Sequence, residues 1–156
     1  MTELTPTPTA DDHPRRFADF DTLGEALDYA AAGNRGFNFY DARATLARVY
    51  PFKELQQDAM NAARRLIGFG IKPGDRVALI ADTEPQFCAL FFGAVYAGAL
   101  PVPLPLPTSF GGKESYVGQI GVQLDSCDPA ILLYPDELED LSSPAGQSRD
   151  IPSIGW

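Results

Sequence analysis

The stretch from Pro73 to Leu104 sets the tightest limits on how this chain can fold. Pro73-Gly74-Asp75 marks a turn, Arg76 to Ala81 is short, apolar and β-rich, and Glu84 to Ala97 is hydrophobic nearly all round. A strand that is apolar on both faces needs helices over both of them, and a helix without a polar face belongs inside. Gly98 breaks that helix, and Leu100 to Leu104 forms the next strand. Its alternating Pro101 and Pro103 remove ladder donors and confine it to a sheet edge. Short apolar strands joined by helices imply right-handed crossovers and a parallel sheet. Leu90 and Phe91 are expected deep in the core, above Val77 and Leu79.

The flanking sequence extends this pattern. Thr22-Leu23-Gly24-Glu25 has the form of a capping box, and Leu23, Ala26, Leu27, Ala30 and Ala31 follow at helical spacing until Gly33 supplies a left-handed stop. Gly36 to Tyr40 and Thr45 to Tyr50 read as a hairpin across Asp41-Ala42-Arg43. Phe52 to Phe69 is an amphipathic helix with Leu55, Ala59, Ala62, Leu66 and Ile67 on its buried stripe and Lys53, Gln57, Asn61, Arg64 and Arg65 mostly outside it. Gly68 and Gly70 end that helix. Lys113 to Cys127 carries Tyr116, Ile120 and Leu124 four residues apart, and Pro129 to Tyr134 is a last buried strand. The fold class is therefore α/β, a layered and mostly parallel sheet flanked by helices with a small N-terminal hairpin. Three segments follow: 1–19 as a disordered leader without apolar periodicity, 20–135 as the α/β unit, and 136–156 as a linker or the truncated start of a next subdomain.

Composition removes several functions. The 156 residues are 45% hydrophobic, with a formal charge of −9, so an unspecific nucleic-acid or anionic-membrane binder is excluded for want of a basic surface. The longest apolar run is cut by glycines and by Pro101, Pro103 and Pro105, so no membrane span is expected. There is no basic, then apolar leader of the secretory kind, and a cytoplasmic location is expected. Two distant cysteines and His13 do not make a zinc set. Cys88 lies in the apolar helix as a small core residue, and His13 falls in the leader.

Two lookalikes fail on chemistry. Phe110-Gly111-Gly112-Lys113-Glu114-Ser115 lacks the first glycine of a phosphate loop and follows its lysine with glutamate. Gly68-Phe69-Gly70 precedes a strand instead of following one, which is the wrong order for a dinucleotide site. Asp125, Asp128, Asp136, Glu137, Glu139 and Asp140 read as a solvated acidic face. No catalytic residue and no metal ligand is assigned.

The ordered motifs carry a resemblance. Pro51-Phe52-Lys53-Glu54-Leu55, then Ile71-Lys72-Pro73-Gly74-Asp75-Arg76-Val77, then Tyr96-Ala97-Gly98-Ala99-Leu100-Pro101-Val102-Pro103-Leu104 resemble the N-terminal part of the acyl-adenylate-forming, or AMP-binding, enzymes. Pro51 and Phe52 stand where the family usually has Thr-Tyr. The prolines through Pro105 and Pro107 lean towards the fatty acyl-AMP ligase and acyl-CoA synthetase branches. The resemblance implies a parent that uses ATP and Mg2+ to join a fatty acid to AMP, releases pyrophosphate, and passes the acyl group to a thiol of coenzyme A or an acyl carrier protein. The family's phosphate loop, adenine segment, ribose-binding aspartate motif and C-terminal lysine are not found here, so this stretch is expected to be inactive and without cofactor on its own. Its partners would be the remaining subdomains of the parent. Leu104, Leu106, Phe110 and Tyr116, delivered to the C-terminal edge of the sheet, are expected to line the acyl pocket or the face towards those subdomains. The alternatives are a stand-alone, non-enzymatic α/β interaction module and a small flavodoxin-like ligand binder.

Overall fold

The computed structural model describes residues 14, 16–107 and 112–156. A helix α1 (Leu23–Ala31) leads into an antiparallel hairpin, β1 (Gly36–Tyr40) and β2 (Leu46–Pro51). A long helix α2 (Phe52–Gly68) follows, and then β3 (Arg76–Ile80), α3 (Pro85–Tyr96), β4 (Leu100–Leu104), α4 (Lys113–Cys127) and β5 (Ile131–Tyr134) alternate. A short 3-10 turn (Asp136–Leu138), α5 (Glu139–Gln147) and β6 (Ser153–Gly155) close the described chain. The four strands β3 to β6 form one parallel sheet in the order β4-β3-β5-β6, so proline-bearing β4 is the expected edge strand.

Alternation along the strands sorts the core into two layers. Val77 and Leu79 of β3 with Ile131 and Leu133 of β5 face α2 and α3, where Leu66, Ala94 and Ala99 meet them. Ala78, Ile80, Leu132 and Tyr134 face the other way, onto Tyr116, Ile120 and Leu124 of α4 and Ala145 of α5. Outside α2 and α3, a third cluster of Leu27, Tyr50, Leu55, Ala59 and Ala89 binds α1 and the hairpin to the helices. The hairpin contributes aromatic edges: Phe37 meets Phe52 edge-on at a centroid distance of 5.1 Å.

The two sequence motifs around β3 and β4 meet at the N-terminal end of the sheet. Gly74 and Gly98 both take a positive φ, 88° and 73°, which glycine adopts without penalty. The Gly74 N–H donates to the Gly98 carbonyl at 2.8 Å, and the Leu100 N–H donates to the Asp75 carbonyl at 2.8 Å. Asp75 also accepts from the Lys72 N–H through Oδ2. These residues therefore fix the start of two strands, a structural task at the end of the sheet opposite the one where ligands bind in open α/β folds.

Three expectations need correction. Gly33 does not supply a left-handed stop; α1 ends at Ala32 in a right-handed conformation. Ile67 is 56% exposed, and Ala63 takes its place on the buried stripe of α2. Leu90 and Phe91 are half-buried and not deep, because α3 is closed only by the small residues Ala89, Gly93 and Ala94. Residues 136–156, expected as a linker or the truncated start of a next subdomain, carry α5 and β6: Leu132, Leu133 and Tyr134 pair with Ser153, Ile154 and Gly155, and the Arg149 guanidinium just beyond α5 grips both oxygens of Asp125 on α4 at 2.7 and 2.9 Å. That bidentate pair holds the Asp125 carboxyl below its ordinary range.

Candidate functional site

The C-terminal ends of the strands are tied together by the loops that leave them. The Ala81 N–H donates to the Leu104 carbonyl at 2.8 Å, joining the exits of β3 and β4. The Trp156 N–H donates to the Tyr134 carbonyl at 3.0 Å, and the Asp136 N–H donates to the Trp156 carbonyl at 3.1 Å, joining the exits of β5 and β6. The Trp156 indole N–H reaches across to Glu84 Oε1 at 2.6 Å, at the start of α3. Because α3 leaves β3 towards one face and α5 leaves β5 towards the other, this is the switch point at which open parallel sheets take ligands.

Of the four residues expected to line a pocket or partner face, two join the core. Leu104 and Tyr116 are buried together with Ile80, Ile120 and Leu124. The Tyr116 hydroxyl donates to the Pro105 carbonyl at 3.0 Å, anchoring the proline-rich exit of β4 to α4. Burial pushes the Tyr116 phenol up to about 12. Its contribution to stability is complete below pH ~10 and is lost as the pH rises from there towards about 12, since the unfolded chain ionises first. Tyr116→Phe should lower stability by about 0.5–1.5 kcal/mol in denaturant melts, the usual worth of one hydrogen bond. Leu106 is 37% exposed. Phe110 lies outside the described residues.

An apolar groove occurs elsewhere, on the α2/α3 side of the sheet. It measures about 960 Å3 and runs between the C-terminal half of α2 and the start of α3, with the exits of β5 and β6 as its floor. Leu66, Phe69, Leu90, Leu133, Ile154 and Trp156 form its apolar wall, and Asp58, Asn61, Arg65 and Gln86 are among its polar lining. Phe69 is 63% exposed. Periodicity in α2 alone does not reveal this groove, because its walls come from four separate elements. The one signal available in the sequence is Phe69, a large apolar residue at the end of α2 that lies outside its buried stripe.

Asp82, Glu84 and Asp136 bring carboxylates to the exits of β3 and β5, and like charge repels phosphate. Among the described residues, no three His, Cys, Asp or Glu side chains are grouped to hold a metal ion. No helix of the described residues is long and apolar enough to cross a membrane.

Comparison with known proteins gives a consistent result. The AMP-binding enzyme family matches residues 34–153. A protein of Caulobacter vibrioides named putative acyl-CoA synthetase is 45% identical over 153 residues, which is 98% of this chain and 27% of that protein. The long-chain-fatty-acid–AMP ligase FadD32 of Mycolicibacterium smegmatis is 39% identical over 66 residues, 42% of this chain and 10% of the relative. A solved chain from a study of fatty acyl-adenylate ligases of E. coli and L. pneumophila superposes with a TM-score of 0.87 at 39% identity, covering 91% of this chain and 26% of that one. The chain thus spans about a quarter of the length of the relatives it matches along most of its own length.

Proposed function

Given that the chain belongs to the AMP-binding enzyme family, we propose that it is the N-terminal subdomain of an ATP-dependent acyl-activating ligase. The parent joins a fatty acid to AMP with release of pyrophosphate and then passes the acyl group to a thiol, on coenzyme A or on a carrier protein. The observation that carries this reading is 45% identity along nearly the whole chain to a stretch of only 27% of a protein named putative acyl-CoA synthetase. The likeness to a fatty acyl-adenylate ligase at 39% identity supports a fatty substrate. Mg·ATP binds in this reading to other parts of the parent, because the family's phosphate loop, adenine segment, ribose-binding aspartate motif and C-terminal lysine are not found in this stretch. This subdomain supplies a rigid parallel sheet, with its motif glycines holding the strand starts and its C-terminal edge turned towards the reacting groups.

Product analysis tests the reading. The full-length protein incubated with Mg·ATP and a panel of fatty acids should form acyl-AMP detectable by mass spectrometry. Adding coenzyme A or a phosphopantetheinylated carrier protein should convert it to one thioester. Absence of any acyl-AMP across the panel would contradict the assignment.

A further inference from the structure

We infer that Glu84 is a positioning residue: it holds the Trp156 indole across the switch point of the sheet, where the indole forms an apolar wall for the fatty acid. The inference rests on the reading above. In the order β4-β3-β5-β6, β5 lies between the strand that Trp156 follows and the strand whose exit loop carries Glu84. The two residues therefore leave strands two spacings apart, ~9–10 Å. Their side chains close that distance, and the indole N–H donates to Glu84 Oε1 at 2.6 Å. The bridge passes over the exit of β5. It thus crosses the boundary between β3 and β5, where the helices part to opposite faces of the sheet and where open parallel sheets take ligands.

Both ends of the bridge are prepared for it. Glu84 is the N-cap residue of α3, yet its side chain makes no capping bond. A short Ser or Asp would cap the helix, whereas this longer carboxylate reaches away from it to the indole. At the other end the Trp156 backbone is held twice, by its N–H on the Tyr134 carbonyl and by its carbonyl on the Asp136 N–H. The backbone fixes where the side chain starts, and Glu84 fixes where it ends. Both side chains are half-buried, and a charged acceptor makes this bond stronger than a neutral one. The indole packs against the layer of Leu79, Ile131 and Leu133 and lines the apolar groove together with Leu133 and Ile154. Tryptophan carries its polar atom on one edge. With that atom tied to Glu84, the apolar ring is what the site offers to a substrate, and the fatty acid is the apolar one.

Glu84→Ala and Glu84→Gln test the role together. Neither removes a capping bond, so both variants should fold. Trp156 is the single tryptophan of the 156 residues, and fluorescence of this chain reports it alone. Glutamine keeps an oxygen that accepts from the indole and should leave emission and acrylamide quenching unchanged. Alanine should shift emission to longer wavelength and raise quenching towards that of a free indole. In the full-length ligase, Glu84→Ala should raise the KM for fatty acid about tenfold, the weight of one hydrogen bond to a charged group. The kcat and the KM for ATP should stay as they are, and Glu84→Gln should behave as the unsubstituted enzyme. Unchanged fluorescence in Glu84→Ala overturns the proposal, as does a loss confined to kcat or a Glu84→Gln variant as impaired as Glu84→Ala. A freed indole with an unchanged KM refutes the positioning role and leaves the ligase reading standing. An unsubstituted ligase that makes no acyl-AMP refutes that reading, and the fluorescence pair then decides by itself whether Glu84 holds Trp156.

Discussion

Replacing Leu79 with alanine lowers the stability of this protein by about 2–5 kcal/mol, the range for a buried leucine truncated to a cavity. Leu79 is fully buried in the middle of β3, flanked by Pro103 on β4 and Leu133 on β5. Its side chain meets the layer of Leu66, Ile71 and Ala94 beneath α2 and α3. Backbone pairing on both sides restrains the strand, so the site has little freedom to collapse and the cost should fall in the upper half of the range. Urea melts measure it. A loss below about 1 kcal/mol would mean that β3 is not the central strand.

A second large effect comes from addition instead of removal. A Cβ at Gly93 would lie 2.6 Å from the Ala62 Cβ and 3.1 Å from the Ala59 carbonyl oxygen, so α3 packs directly on the backbone of α2 there. Alanine in place of a helical glycine normally stabilises by up to about 1 kcal/mol. Here the overlap with fixed atoms outweighs that gain, because overpacking costs about 1–3 kcal/mol. Gly93→Val should therefore destabilise by about 1–3 kcal/mol and loosen the contact of α2 with α3. Gly118→Ala is the matched control: no atom lies within 4 Å of its Cβ position, and the substitution should stabilise. If both variants behave alike, the close helix contact is wrong.

The stretch around β3 and β4 was legible because every local signal agreed. Pro73-Gly74-Asp75 and Ala97-Gly98-Ala99 demanded turns, the strands between them had no polar face, and Pro101 and Pro103 forbade a central position. The structure returns each of these, down to β4 on the edge. The family followed from the same residues, since the turns that start the strands are also its motifs. Residues 136–156 were illegible for the opposite reason. Pro144 stands inside α5 and β6 is three residues long, so neither has a period of its own. They exist because Ser153 to Gly155 find the open edge of β5 and Arg149 finds Asp125.

Burial misled in a way that bears on function. The apolar circumference of α3 predicted full burial of Leu90 and Phe91, and this chain covers only part of it. The groove of Leu66, Leu90, Leu133 and Ile154 was beyond sequence patterning because those residues are brought together only by the crossover topology. The reverse holds for Leu104 and Tyr116: position at the strand exit suggested a binding face, and α4 covers them instead.

Fatty-acid-dependent exchange of pyrophosphate into ATP tests the central claim most directly, measured side by side on the 156-residue protein and on the full-length ligase. Background exchange is expected from the first and robust, fatty-acid-dependent exchange from the second, because the phosphate loop, adenine segment and C-terminal lysine that the family resemblance calls for are not found in these 156 residues. Robust exchange by the 156-residue protein alone, or none by the full-length protein with any fatty acid, would contradict it.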